Sequence, residues 1–210
     1  MVLQSLAVIH EKEDNQTVPK ISTNSVVEHR ELRRQQLMDA AISLAMSDGA
    51  QAITVSAVAA KAGLARSSVY EYFHSSSDLI AELILDELDY YSNRLAKAIE
   101  GVSDPFEQIE KWIAEGLQYV ADGRHMLVKS LNTIDTPVTR KEEILLGHRK
   151  LMAPLRDALI ATKVKDPKMA GGFLQSITDA ASIRIDAGSD PQEEIKSATA
   201  FALAGLRALV

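Results

Sequence analysis

The sequence predicts an all-α fold of about nine helices. Apolar residues recur at three- and four-residue spacing through the middle and the end of the chain, as on one face of a helix. No sustained alternation of apolar and polar residues, which would indicate strands, is present. The stretches between the periodic segments carry Gly, Asp-Pro or Ser-rich sequences typical of helix ends.

The first helix is predicted to begin near Ser25, because Ser25-Val-Val-Glu28 has the spacing of a capping box. Leu37, Ala41 and Leu44 fall on one face of this helix, and Gly49 is its predicted stop. Residues 1–24 are polar and lack a sustained period, so we predict a flexible arm there.

Two short helices are predicted next, over residues 54–62 and 66–73, with Gly63 as the turn between them. The first is rich in Ala and Val, which permits close approach of a partner helix. On the second, Val69 and Phe73 are four residues apart and point to the same side. Two short helices joined by a tight turn match the helix-turn-helix arrangement, in which the second helix enters the DNA major groove.

The remaining helices are predicted from their start signals. Ser75, followed three residues later by Asp78, suits the N-terminus of a long helix. Asp-Pro pairs at 104–105, 166–167 and 190–191 mark three more N-termini. A shorter helix over 124–134 and a long one over 139–163 complete the set. The predicted domains are therefore a helix-turn-helix domain at 25–76 and a helical regulatory domain at 77–210.

Composition and charge narrow the possible classes. The 210-residue chain has a net charge of −6 and no cysteine, which excludes disulfides and thiolate chemistry. Residues 20–76 carry six basic and five acidic side chains, so any nucleic-acid contact must be a local patch. No apolar run is long enough to span a bilayer, and no signal peptide is evident. We expect a cytoplasmic protein without membrane contact.

The exposed face of the second short helix has suitable chemistry for DNA. Arg66 can donate to guanine edges or to phosphate, and short hydroxyls reach bases or phosphates without bulk. Tyrosine hydroxyls can bond phosphate, and a hydroxyl at the start of the 54–62 helix can hold a phosphate together with free backbone donors. The residues concerned are Thr54, Arg66, Ser67, Ser68, Tyr70 and Tyr72.

Residues 33–79 resemble the TetR family of bacterial transcription regulators. The resemblance is carried by Arg33-Arg34, Ala40-Ala41-x-x-Leu44, Gly49, Thr54-Val55-x-x-Val58-Ala59-x-x-Ala62-Gly63-Leu64, Ser68-Val69-Tyr70-x-Tyr72-Phe73 and Asp78-Leu79. It implies operator binding and adds Arg33 and Ser76 to the expected DNA contacts. The family usually has Lys where Ser76 stands and Phe where Ala45 stands, which implies a weaker phosphate contact and a differently filled core.

The resemblance further implies a C-terminal domain that dimerises and binds a small-molecule effector. We expect a homodimer through the last two helices, where small residues allow close packing. Ala198, Ala202, Leu206 and Leu209 share a face of the final helix, although this face could instead make ordinary contacts within one chain. A two-fold dimer would prefer a palindromic operator.

Candidate effector contacts are polar or adaptable side chains on otherwise apolar faces. His148 lies among apolar residues, where it could orient an effector or be a satisfied core histidine. Met126 and Met152 fit plain packing better than effector contact. The predicted set is Trp112, Tyr119, Met126, His148 and Met152.

An enzyme is the main rival class. The chain has no Gly-rich phosphate loop, no nucleophile elbow and no His-Glu-x-x-His metal helix, and its five histidines are scattered. We therefore expect no catalytic residues, metal site or cofactor. The predicted function is a ligand-responsive repressor that an effector releases from its operator. The alternative is a helical small-molecule or lipid carrier, or a scaffold, without DNA binding.

Overall fold

Residues 23–210 are described by the computed structural model, with side chains from Val27 onward, and they form an all-helical fold. The nine α-helices of this part of the chain are α1 Thr23–Asp48, α2 Val55–Ala62, α3 Arg66–Tyr70, α4 Ser76–Ile99, α5 Pro105–Ala121, α6 His125–Leu131, α7 Val138–Ala161, α8 Pro167–Asp186 and α9 Pro191–Arg207. A short 3-10 turn, Ala50–Ala52, follows α1. The all-α prediction is confirmed.

The N-terminal end of α1 differs from the predicted one. The helix already includes Thr23 and Asn24, so Ser25 lies inside it and is not its N-cap. Of the predicted arm at residues 1–24, the first 22 residues lie outside the described part of the chain.

The helix-turn-helix segment follows from local hydrogen bonding. The Thr54 hydroxyl caps α2 by accepting the N–H of Ala57 at 3.1 Å. Gly63 ends α2 in the left-handed conformation, with φ of 68°, which a residue without Cβ adopts at little cost. The Leu64 N–H then bonds back to the Ala59 carbonyl at 2.9 Å, as in a Schellman ending.

Helix α3 is shorter than the predicted 66–73. The N–H groups of Tyr72 and Phe73 both bond to the carbonyl of Val69, which tightens the turn. The next N–H, that of His74, bonds to the Asp78 carboxylate at 3.1 Å and so leaves the helical ladder. The helix therefore ends at Tyr70.

The predicted starts of the later helices are confirmed. Ser75 caps α4 by accepting the Asp78 N–H at 3.0 Å. Asp104, Asp166 and Asp190 each accept a backbone N–H in the first turn of α5, α8 and α9, and each is followed by Pro at the first helical position.

Two hydrophobic clusters divide the fold, and α4 contributes to both. The N-terminal cluster combines α1, α2 and α3 with four residues of α4 and two of α6: Leu79, Ile80, Leu83, Ile84, Leu127 and Leu131. The C-terminal cluster combines Leu95 of α4 with α5, α7, α8 and α9. Leu88 of α4 packs against both clusters, so a single rigid helix connects them. None of the helices in residues 23–210 is long and apolar enough to cross a bilayer.

Candidate functional site

Helix α3 packs on α2 through fully buried apolar contacts. Val69 of α3 and Val58 of α2 are both inaccessible to solvent, and Phe73 and Ala59 are nearly so. Small side chains on α2 let α3 approach closely, and this fixes which face of α3 points outward.

The outward face of α3 carries Arg66, Ser67 and Tyr70. All three are exposed, Tyr70 by 46%. Arg66 Nη2 donates a hydrogen bond to the Tyr70 hydroxyl at 3.2 Å, and its guanidinium carbon lies 5.9 Å from the Tyr70 ring centroid. This pairing orients the Arg66 guanidinium on the exposed face of α3.

The other predicted DNA residues flank this face in different environments. Thr54 is exposed and Ser76 is half-buried at the first position of α4, whereas Ser68 is half-buried on α3. Tyr72 is half-buried against the N-terminal cluster, with Arg30 of α1 5.9 Å from its ring centroid. Arg33 is exposed on α1.

Beside Arg33, the side chain of Arg34 belongs to an ion cluster that joins three helices. Arg34 Nη2 bonds to Glu82 at 2.6 Å and lies 3.3 Å from Asp86, both on α4. Arg140 of α7 bonds to Asp78 at 2.8 Å and also to Glu82. We call Arg34, Asp78, Glu82, Asp86 and Arg140 the junction cluster.

The charges of the junction cluster shift its carboxyl groups unequally. Burial raises the pKa of Glu82, but hydrogen bonds from Arg140 and Arg34 outweigh it and leave that pKa below its ordinary value. Burial dominates at Asp86, whose pKa is raised despite Arg34. Glu82 is thus the firmly ionised centre of the junction cluster.

A cavity of 660 Å³ opens between α4, α5, α6, α7 and α8. A second cavity of 230 Å³ adjoins it, because Tyr91, Val120, Leu151 and Gln175 line both. Tyr119 and His148 line the larger cavity, and Trp112 and Met152 line the smaller one. Four of the five predicted effector residues are therefore brought together. Met126 is 48% exposed and lines neither cavity.

The predicted residues differ in what their polar atoms do. Tyr119 is buried and donates its hydroxyl to Glu87 Oε1 at 2.9 Å. His148 is exposed rather than in the core, and its Nδ1 lies 2.9 Å from the Ile144 carbonyl. Trp112 is 7% exposed, and its Nε1 has no hydrogen-bond partner. The cavity thus contains both satisfied and unsatisfied polar groups.

Comparison with known proteins identifies the N-terminal domain. A family model described as bacterial regulatory proteins of the tetR family matches residues 37–83. This segment contains α2, α3, the turn at Gly63 and the capped start of α4.

Residues 37–83 therefore have the helix-turn-helix domain of the TetR family.

Two curated regulators are similar to part of this chain. The HTH-type transcriptional regulator HbdR of Aromatoleum sp. strain CIB is 30% identical over 91 residues, which are 42% of this chain and 40% of that protein. The HTH-type transcriptional repressor KstR2 of Mycolicibacterium smegmatis is 29% identical over 77 residues, which are 37% of this chain and 38% of that protein. The matches span about two fifths of the length of these relatives.

The fold similarity extends over most of the chain. The transcriptional regulator FadR from Bacillus subtilis, solved in complex with stearoyl-CoA, matches 81% of this chain and 98% of its own at a TM-score of 0.65 and 21% identity. At that identity the match establishes the TetR-family fold alone.

The apolar face of α9 that was predicted for dimerisation faces inward. Ala198, Ala202 and Leu206 are at most 7% exposed and pack in the C-terminal cluster together with Leu209, so this face is internal to the monomer. The opposite face is the exposed one: Phe201 is 71% exposed on α9 and Phe173 is 54% exposed on α8. A nearly wholly apolar groove of 320 Å³ runs between these two phenylalanines.

The sequence prediction missed Glu87, the most buried carboxylate on the cavity wall. Glu87 is 4% exposed and receives hydrogen bonds from Tyr119 and Arg124. Burial, followed by the Glu87 charge, raises the pKa of Tyr119 and keeps its hydroxyl a donor. Glu87 is three residues from Ile84 and four from Tyr91, so its place on the apolar stripe of α4 was the available signal.

Proposed function

We propose that this TetR-family protein is a ligand-responsive transcriptional repressor that binds a palindromic operator as a homodimer and is released by a small-molecule effector. The observation that carries the proposal is the double role of α4. Its first turns belong to the same hydrophobic cluster as Val69 of α3, and its middle turns line the cavity. One helix therefore contributes both to the core that holds α3 and to the wall of the proposed effector site.

The DNA-binding part of the proposal rests on the outward face of α3. Arg66, Ser67 and Tyr70 are exposed together on a helix whose other side is fixed by buried contacts. Arginine and hydroxyl groups supply donors for base edges and phosphates. Thr54 and Ser76, at the starts of α2 and α4, are proposed to contact phosphate with their hydroxyls and nearby backbone donors. Ser68, Tyr72 and Arg33 are proposed as flanking contacts.

The homodimer is proposed to form through the exposed faces of α8 and α9. Phe173 and Phe201 would be buried there, and exposed apolar surface of this kind marks an interaction site in soluble proteins. Self-complementary packing about a two-fold axis would present two copies of α3 to half-sites roughly 34–36 Å apart. The operator is therefore proposed to be palindromic.

The effector is proposed to occupy the two adjoining cavities. Their combined size lies within the range of small-molecule sites, and their walls are mainly apolar with a few polar groups. Tyr119, His148, Trp112 and Met152 are the proposed contacts. One structural neighbour was solved with stearoyl-CoA, so acyl-CoA thioesters are a reasonable first class of compounds to screen.

Release from DNA is proposed to follow from linkage. The protein would have one conformation in which the two copies of α3 fit the operator and another in which they do not. An effector that binds the second conformation more tightly lowers operator affinity, at most by the ratio of its affinities for the two conformations. No catalytic role is proposed, and the role requires the cytoplasm, where bacterial DNA lies.

The test is a fluorescence-anisotropy titration with DNA from upstream of the gene itself and its neighbours. We expect nanomolar binding to one palindromic fragment, at least about 1000-fold tighter than to scrambled DNA and falling steeply with salt. Equal affinity for the palindromic fragment and for scrambled DNA would refute the proposed regulator function. If a hydrophobic ligand also bound, that result would favour the carrier or scaffold alternative.

A further inference from the structure

Helices α4 and α7 run side by side from the cavity to the DNA-binding domain. They form the most extensive helix-to-helix contact in the described chain. At the cavity end, Leu88 and Tyr91 of α4 face the same space as His148 and Leu151 of α7. A change in this space therefore acts on both helices at once.

The two helices approach each other closely at Gly147. A Cβ atom at this position would lie 3.0 Å from Leu88 Cδ1, which is tighter than an ordinary contact. Gly147 precedes the cavity-lining His148, and Leu88 lines the cavity itself. A side chain added at Gly147 would therefore press on Leu88 of α4 at the cavity wall.

Arg140 lies on α7 at the end of the α4–α7 contact that is remote from the cavity. Its position eight residues before His148 corresponds to about 12 Å along the helix axis. Arg140 Nη1 bonds to Asp78 Oδ1 at 2.8 Å, and Nη2 bonds to Glu82. The side chain of Arg140 is 19% exposed and that of Asp78 14%, so water screens the pair only partly.

Asp78 is also part of the turn that connects the reader to α4. Its other carboxylate oxygen accepts the N–H of His74, and its own N–H bonds to Ser75. His74 is four residues after Tyr70, at the end of the recognition segment. One carboxylate thus connects the backbone leaving α3 to the guanidinium on α7.

We infer that Arg140 is the residue through which the effector cavity sets the position of the DNA-binding domain. Its ion pairs with Asp78 and Glu82 hold the start of α4 against α7 in one register. A displacement of α7 at the cavity wall moves Arg140 and carries the α3–α4 turn with it. This inference rests on the proposed function, because it assigns a path between the effector site and the reader.

The experiment uses the absence of cysteine in the chain. Spin labels at Gln51→Cys, in the turn before α2, and Glu110→Cys, on α5, report the position of the reader relative to the C-terminal core. Both positions are exposed. Electron double resonance then measures the distance distribution between the two labels in protein without DNA or effector. Mixing labelled with excess unlabelled protein limits the signal to pairs within one chain.

The first comparison removes the ion pairs. We expect Arg140→Gln to broaden the distance distribution by about twofold, because the start of α4 loses its fixed register. Glu82→Gln should broaden it similarly, and it replaces Arg140→Gln if that variant is poorly folded by circular dichroism. The matched control is Arg156→Gln on the same helix, whose partner is the adjacent Asp157 and whose side chain is 66% exposed. An unchanged width in both junction variants would overturn the inference.

The second comparison imitates an effector with a wedge between the helices. Gly147→Val inserts a side chain where even a Cβ is crowded by Leu88. We expect the mean label distance to shift by on the order of 2 Å when Arg140 is present, and the shift to disappear with Arg140→Gln. No shift, or an equal shift in both backgrounds, would overturn the coupling role.

The two hypotheses fail in different experiments. The label distances are measured without DNA, so they judge the Arg140 connection alone. The operator titration on the unmodified protein judges the regulator. A protein that ignores operator DNA but shows the Arg140-dependent shift would refute only the proposed function.

Discussion

Arg124 donates two hydrogen bonds to the buried carboxylate of Glu87, from Nε to Oε1 at 3.0 Å and from Nη2 to Oε2 at 2.6 Å. The pair joins the residue before α6 to the middle of α4 at the cavity wall. Tyr119 of α5 donates to the same carboxylate, so Glu87 connects α4 to α5 and to the residue before α6. The carboxylate is almost fully withdrawn from solvent, whereas the guanidinium is 42% exposed.

Replacing Arg124 with Ala should destabilise the protein by about 2–3 kcal/mol, because it leaves Glu87 buried with a single hydrogen-bond donor. Urea unfolding followed by circular dichroism measures the change. Arg156→Ala is the matched control and should stay within about 0.5 kcal/mol of the wild type, since its pair with Asp157 is well exposed. Equal stability of the two variants would contradict the structural role of the Glu87 pair.

Stability should depend on acid through Glu82. Its folded-state pKa lies below the ordinary value of 4.5, because Arg140 and Arg34 outweigh burial. A depressed pKa contributes stability that is fully present above the unfolded pKa and is lost as pH falls through the folded pKa. We expect the difference in unfolding free energy between wild type and Glu82→Gln to be constant at neutral pH and to shrink as pH falls below the ordinary value of 4.5. Glu107→Gln, in an exposed pair with Lys111, should show a much smaller difference at every pH. A difference for Glu82→Gln that grew with acid would show the sign to be wrong.

The double variant Arg66→Ala with Tyr70→Ala should lose operator binding by at least about 100-fold. The two side chains form one exposed unit on α3 and neither supports the core, so helix content and oligomeric state should not change. Anisotropy titration on the palindromic fragment gives the affinity. Arg149→Ala, an exposed arginine on α7, serves as the control and should bind as the wild type does. Unaltered operator affinity in the double variant would remove α3 from the role of recognition helix.

Phe201→Glu should give a monomer at micromolar concentration, because it places a charge in the centre of the proposed α8–α9 interface. Sedimentation velocity distinguishes monomer from dimer. Val138→Glu makes the same kind of change at an 81% exposed position on α7 and should leave the dimer intact. A wild-type protein that sediments as a monomer, or a Phe201→Glu variant that sediments as a dimer, would exclude this interface.

Ser76→Lys should strengthen DNA binding. A lysine at the first position of α4 adds one phosphate contact, so affinity at moderate salt should rise by about threefold to tenfold. The slope of log affinity against log salt should steepen by about 0.9. Asn93→Lys adds the same charge to an exposed position about 25 Å further along α4 and should leave the slope unchanged. Identical slopes in the two variants would show that the start of α4 does not face phosphate.

Local chemistry made the helix starts predictable from the sequence. Ser75, Asp104, Asp166 and Asp190 cap helices through bonds to residues two or three positions away, so a short window of sequence contains the whole interaction. The end of α3 was predicted wrongly because it depends on Asp78 capturing the His74 N–H from outside the helix.

Long-range relationships were not predictable in the same way. Arg34 and Arg140 bind partners 48 and 62 residues away in the sequence. From the local sequence, each of these side chains would be interpreted as a solvated surface charge. The inward face of α9 was assigned to the dimer because small apolar residues suit packing within a chain and between chains equally. Only the burial of Ala202 and the exposure of Phe201 distinguish the two faces.

The composition of the N-terminal cluster has a consequence for how such a protein can change over time. The cluster takes Leu79, Ile80 and Leu83 from α4 and Leu127 and Leu131 from α6, all beyond residue 76. The helix-turn-helix domain predicted at residues 25–76 therefore does not contain its whole hydrophobic core. Exchanging residues 25–76 between related proteins would place the side chains of another protein against these residues of α4 and α6. New operator preferences and new effector responses must then be acquired in step, through compensating changes on both sides of a shared core.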